Sequence, residues 1–112
     1  MAEFSDKAWS QFSESDYETA QEFCDACLIN LNEGPRDQWV KAKCKLPVRE
    51  PKKAGFRYNR NGIHAAAAAL AGARGGVDAP PEAKRKAARA LIRLYRQMDE
   101  EPPESIKRIA GD

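Results

Sequence analysis

Three cysteines and a single histidine are the residues whose types and spacing first invite chemistry. Cys24-x-x-Cys27, Cys44 and His64 supply four soft or borderline ligands, the number a structural zinc takes. Structural zinc sites ordinarily draw on two close-spaced ligand pairs, and only the first is present here. Cys24 and Cys27 also share a helical stripe with Phe23 and Leu28, where a free cysteine acts as a small hydrophobe. They read as core thiols before they read as metal ligands, and no cofactor is expected. A Cys–His nucleophile pair is a weaker reading. His64 would need a thiol within hydrogen-bond reach and a third group to orient it, and the local sequence supplies neither. Gly72-Ala73-Arg74-Gly75-Gly76 follows a helical stretch rather than a strand and lacks the lysine–hydroxyl pair of a phosphate loop. It reads as a helix C-cap. No catalytic residue is expected, and the chain is not expected to be an enzyme.

The arginines are more informative. At about 100° per residue, Arg85, Arg89, Arg93 and Arg96 gather on one helical face, with Lys86 beside them. Residues 41–60 add Lys52, Lys53, Arg57 and Arg60, with Phe56 and Tyr58 interleaved. Such a surface can grip phosphates while the rings stack on bases. It can equally meet an acidic protein surface, or be the solvated side of an amphipathic helix. Nineteen basic and seventeen acidic residues leave a net charge of +2, small for a dedicated nucleic-acid binder.

The elements that carry these residues read as mainly helical. A chain of 112 residues holds one domain, and 42 % apolar with 32 % charged residues fits one modest core under a solvated surface. Residues 1–14 are polar with isolated rings at Trp9 and Phe12, an arm that docks onto a single helical domain over 15–112. Ser15 and Glu18 have capping-box spacing. After them Tyr17, Ala20, Phe23, Cys24, Cys27, Leu28 and Leu31 recur at helical intervals, up to the turn Asn32-Glu33-Gly34-Pro35. Val40, Ala42, Cys44 and Leu46 alternate with lysines, so residues 38–49 read as a short extended segment or hairpin that Pro47 confines to an edge or an end. A second helix is expected from Gly62 to Arg74, capped by Asn61. The third, over 81–98, starts at Pro80-Pro81 and turns Ala87, Leu91, Leu94 and Tyr95 inward. A short fourth carries Ile106 and Ile109. The expected architecture is a small bundle of three to four helices. An odd cysteine count argues against a disulfide framework and for a reducing compartment. No apolar run approaches the ~20 residues of a membrane span, and Met1-Ala2-Glu3-Phe4-Ser5-Asp6 lacks the pattern of a signal peptide.

Several stretches taken together resemble a small domain of tailed bacteriophages and prophages. They are Lys45-Leu46-Pro47-Val48-Arg49-Glu50-Pro51, Asn59-Arg60-Asn61-Gly62-Ile63-His64 with the alanines after it, Ala71-Gly72-Ala73-Arg74-Gly75-Gly76-Val77, and Pro80-Pro81-Glu82-Ala83-Lys84. That domain occurs alone or attached to head-morphogenesis proteins such as prohead proteases. The resemblance spans residues 23–109 and includes no catalytic motif; the protease chemistry of the composite proteins belongs to a different domain. Lys52-Lys53-Ala54-Gly55-Phe56-Arg57-Tyr58 is longer than the turn the resemblance implies. The resemblance implies a phage or prophage accessory domain; together with the lack of a catalytic motif it leads to the expectation of a non-enzymatic accessory or structural protein acting through protein–protein contacts in head assembly or a neighbouring process, located in the host cytoplasm or the virion. Its partner is then a phage structural protein or another copy of the chain. Nucleic acid is the alternative partner, a zinc-stabilised module is a third reading, and no membrane is expected.

Overall fold

In the computed structural model, which describes residues 4–111, the chain opens with a two-residue strand, β1 (Phe4–Ser5). Helix α1 (Ala20–Ala26), strands β2 (Cys27–Asn30), β3 (Cys44–Pro47) and β4 (Tyr58–Asn59), and helices α2 (Arg60–Leu70), α3 (Pro81–Gln97) and α4 (Glu104–Ile109) follow, joined by short 3-10 turns. Met1 to Glu3 of the expected arm, and Asp112, lie outside the described residues. β1 pairs in parallel with β4, and β2 pairs antiparallel with β3 in the register Cys27↔Pro47, Ile29↔Lys45 and Asn30↔Cys44.

This is a small mixed α/β domain, 54 % helical and 12 % strand, and it corrects the expected mainly helical bundle. The difference arises at Cys27. Helical spacing carried the expected first helix to Leu31, yet the backbone leaves the helix at Ala26, whose carbonyl accepts from Val48 N–H at 2.9 Å. Beyond it the chain satisfies its backbone against β3 rather than within a helix, and Ile29, absent from the expected stripe, becomes 98 % buried. The helix also begins later than expected. Thr19, not Ser15, caps it by accepting from Glu22 N–H at 3.1 Å, while Ser13 N–H donates to Asp16 across a separate 3-10 turn. β3 lies within the expected extended segment and ends at Pro47, but its partner is β2, and residues 41–43 form a 3-10 turn.

The remaining helices follow local chemistry closely. Asn59 caps α2 by accepting from Gly62 N–H at 2.8 Å, so the helix starts two residues before the expected position and stops at Leu70, short of Arg74. Gly62 lies beneath the Trp9 indole: a Cβ there would stand 3.0 Å from three ring atoms, closer than a side chain tolerates. Pro81 takes the first position of α3, where its missing N–H costs no helical bond. One face of α3 buries Ala87, Ala88, Leu91, Leu94 and Tyr95 against α2, α4 and β2. Leu91, Ile63 and Ile106 are fully enclosed, each contributing about 2 kcal/mol of burial. A second, smaller cluster of Tyr17, Phe23, Cys24, Ala26 and Cys44 lies under the α1 side.

Candidate functional site

The exposed side of α3 carries the expected cations. Arg85, Lys86, Arg89, Arg93 and Arg96 are all exposed, while the residues between them pack inward. Their helical angles fall within an arc of about 100°, and Arg85 to Arg96 spans about 16 Å of helix axis. Among the described residues none of the five forms an ion pair within 4 Å; Arg89 Nε donates to the Ala110 carbonyl at 3.3 Å, tying the ridge to the end of α4. The ridge rests on the longest helix of the fold, whose opposite face is packed into the main core, so its charges sit on a fixed support.

The other cations of the expected basic surface are engaged differently. Arg60 Nε lies 3.1 Å from Asp6, its NH1 lies 3.4 Å from Glu100, and its guanidinium stacks 5.5 Å from the Phe4 ring centre. Arg60 therefore fastens β1 to the end of α3. Lys53 pairs with Asp16 at 2.9 Å, and the Lys52 backbone N–H donates to the buried Glu22 carboxylate at 2.9 Å. Arg57 is exposed. Phe56 and Tyr58, the rings expected to stack on bases, are occupied from within: the Arg49 guanidinium sits 4.9 Å and 4.2 Å from their centres. Of these cations Lys53 and Arg60 are thus engaged in ion pairs, while the side chains of Lys52 and Arg57 are exposed.

The cysteines depart furthest from expectation. Cys24 and Cys44 form a disulfide with their Cα atoms 5.3 Å apart, correcting the expectation of three free thiols. Facing strand positions Asn30 and Cys44 bring the end of α1 and the start of β3 into reach, and the Asn32 amide donates to both sulfurs, at 3.5 Å and 3.3 Å. His64 Nε2 lies 2.7 Å from Glu100 Oε1. The set Cys24, Cys27, Cys44 and His64 is therefore divided between a covalent bond, a lone thiol and a hydrogen-bond partner of Glu100, and no group of three or more His, Cys, Asp or Glu among the described residues is placed to hold a metal. Burial, reinforced by the Glu14 carboxylate, pushes the Cys27 thiol up to about 12 from its ordinary 9. A thiol held neutral in this way is a poor nucleophile. Iodoacetamide at about pH 7 is expected to leave Cys27 unmodified in the folded protein and to label it once urea unfolds the chain. The fold binds the Cys27 proton more tightly than the unfolded chain does. Its contribution is therefore present below pH 9 and lost as pH rises toward 12, so thermal stability should fall over that window, less steeply in Cys27→Ala.

A recess not evident in the sequence lies beside β3. Trp9 and Phe12, half-buried with ring centres 5.8 Å apart, form with Tyr17, Phe23, Leu46 and Pro47 an open cleft of about 460 Å³. Leu46 adopts φ 65°, the left-handed region that non-glycine residues rarely enter. The one sequence signal for this cleft was the pair of isolated rings in an otherwise polar arm. Beneath the β1–β4 pair lies a polar core: Asn59 Nδ2 donates to Glu50 Oε2 at 2.9 Å and to the Lys7 carbonyl at 3.0 Å, with Asn59 and Glu50 both fully enclosed.

Fold and site together define a small disulfide-linked α/β domain with a cationic helical ridge. Compared with known protein families, with curated proteins and with solved structures, the chain gives no match. No helix among the described residues is long and apolar enough to cross a membrane.

Proposed function

We propose that the protein is a non-enzymatic accessory or structural protein of a tailed phage or prophage, working through protein–protein contacts in head assembly, in the host cell or the virion. The observation that carries this reading is the α3 ridge: five exposed cations without ion-pair partners among the described residues, on a helix whose opposite face is fixed in the core. A rigid charged strip favours binding because little conformational freedom is lost when a partner docks. The phage setting rests on the resemblance of residues 23–109. Co-sedimentation with phage heads tests it. The wild-type protein is expected to travel with the particles. Arg89→Glu with Arg93→Glu should lose at least tenfold in binding while keeping its circular dichroism, since like charge placed against an acidic partner repels. A wild-type protein that neither enters particles nor associates with any phage structural protein ends this reading.

The same ridge also supports nucleic acid as an alternative partner, because Arg85, Arg89 and Arg93 repeat at about 6 Å along the axis with no carboxylate interposed. In that case Arg89→Ala with Arg93→Ala would reduce the salt dependence of binding by about two released counterions.

A further inference from the structure

Charge is divided unevenly along this chain. Residues 1–37 hold nine acidic and two basic residues, and the other 75 hold eight acidic and seventeen basic, so a net −7 precedes a net +9. The fold brings some of these charges together and leaves others unpaired. Lys53 pairs with Asp16 and Arg36 with Asp25, while the Lys41 ammonium donates to the Glu14 and Tyr17 backbone carbonyls. The exposed carboxylates of Glu14, Glu18 and Asp37 remain without an ion-pair partner among the described residues. They share one region: the turn holding Asp37 is clamped to α1 by the Arg36–Asp25 pair and by Gln21 Nε2 donating to the Arg36 carbonyl at 2.6 Å, and Glu14 and Glu18 lie on the approach to α1. The acidic patch is anchored on the smaller core and the ridge on the larger one.

We propose that the ridge of α3 is an interface for a second copy of this chain, taking the acidic patch beside α1 of the neighbouring molecule. This rests on the protein–protein reading above and names the partner of the same surface. Two different patches meet, so the contact is head-to-tail, and every copy added presents a fresh ridge or a fresh acidic patch. Such contacts continue into a ring or an open filament. Opposite charge steers the approach and sets register, and salt weakens it.

Sedimentation velocity on the pure, nucleic-acid-free chain tests the contact. Raising salt from about 0.1 M to about 1 M, which shortens the screening length from about 10 Å to about 3 Å, should weaken self-association at least tenfold. Arg89→Glu with Arg93→Glu should sediment as a monomer in low salt, and so should Glu14→Lys with Glu18→Lys. Mixing the two double variants should restore association, because each supplies the patch the other has reversed. All four positions are exposed, and circular dichroism checks that each variant keeps its fold. A wild-type chain that is monomeric in low salt overturns the proposal, as do reversed variants that associate like wild type. So does a chain that stays monomeric alone but binds a single-stranded oligonucleotide through Arg89 and Arg93. A monomeric protein that still travels with phage heads overturns the self-contact alone; a self-associating protein that ignores heads overturns the head-assembly reading alone.

Discussion

Asn59→Ala is expected to destabilise the protein by about 4 kcal/mol. The side chain is fully enclosed and each of its polar ends is used. Its Oδ1 accepts from Gly62 N–H at 2.8 Å and caps α2, a contribution of about 1 kcal/mol. Its Nδ2 donates to Glu50 Oε2 at 2.9 Å, and Glu50 Oε1 is already buried without a hydrogen-bond partner. Alanine at 59 removes the amide donor from that enclosed carboxyl group, and a buried polar group left without its partner costs up to about 3 kcal/mol. The same change leaves Asn61 Nδ2 as the remaining donor to the Lys7 carbonyl and loosens the arm that places Trp9 over Gly62. For a domain of this size the loss corresponds to a fall in Tm of roughly 15 °C. A double-mutant cycle in urea with Glu50→Gln locates the cause. Glutamine replaces the acceptor that the Asn59 amide meets, so the Asn59→Ala penalty should shrink in that background. If the two changes add to within about 0.5 kcal/mol, the account through Glu50 is wrong.

Reducing the Cys24–Cys44 bond should lower stability by about 3 kcal/mol, from the chain entropy returned to an unfolded loop closed across a sequence separation of 20. The loop contains the 3-10 turns and the Asn32 amide that holds the Val40 carbonyl at 3.1 Å, so the link also restrains the route from β2 to β3. Urea midpoints measured with and without reductant should separate for the wild type and coincide for Cys44→Ala, which has no link to lose. Thiol counting on the unfolded, unreduced chain is expected to find one thiol, Cys27. Three thiols would remove the pairing.

The disulfide and the Asn59 contact with Lys7 join residues far apart in sequence, and such contacts were the ones hidden from a reading along the chain. Cys24, Cys27, Leu28 and Leu31 satisfy a helical period as written, and nothing within those residues shows that a strand at 44–47 will compete for the backbone of 27–30. Once the strands pair, Asn30 faces Cys44 and the neighbouring helical cysteine comes into bonding range, which parity of cysteine number could not show. Arg60 reads as one of a basic run because Lys52, Lys53 and Arg57 precede it. Its partners, Asp6 and Glu100, come from opposite ends of the chain. The aromatic cleft likewise joins rings near residue 10 to a strand near residue 45.

What the amino-acid order determined alone was α3 and the composition of its outer face. Pro80-Pro81 marks its start, apolar residues recur at three and four, and the arginines occupy the remaining arc, all by interactions within one or two turns. The tertiary structure decided which cations stay free, which cysteines join, and whether residues 27–30 are helix or strand. Those outcomes depend on which distant backbone and side-chain groups satisfy hydrogen bonds and charges once the chain is closed upon itself, and a periodic pattern records only the preferences of near neighbours.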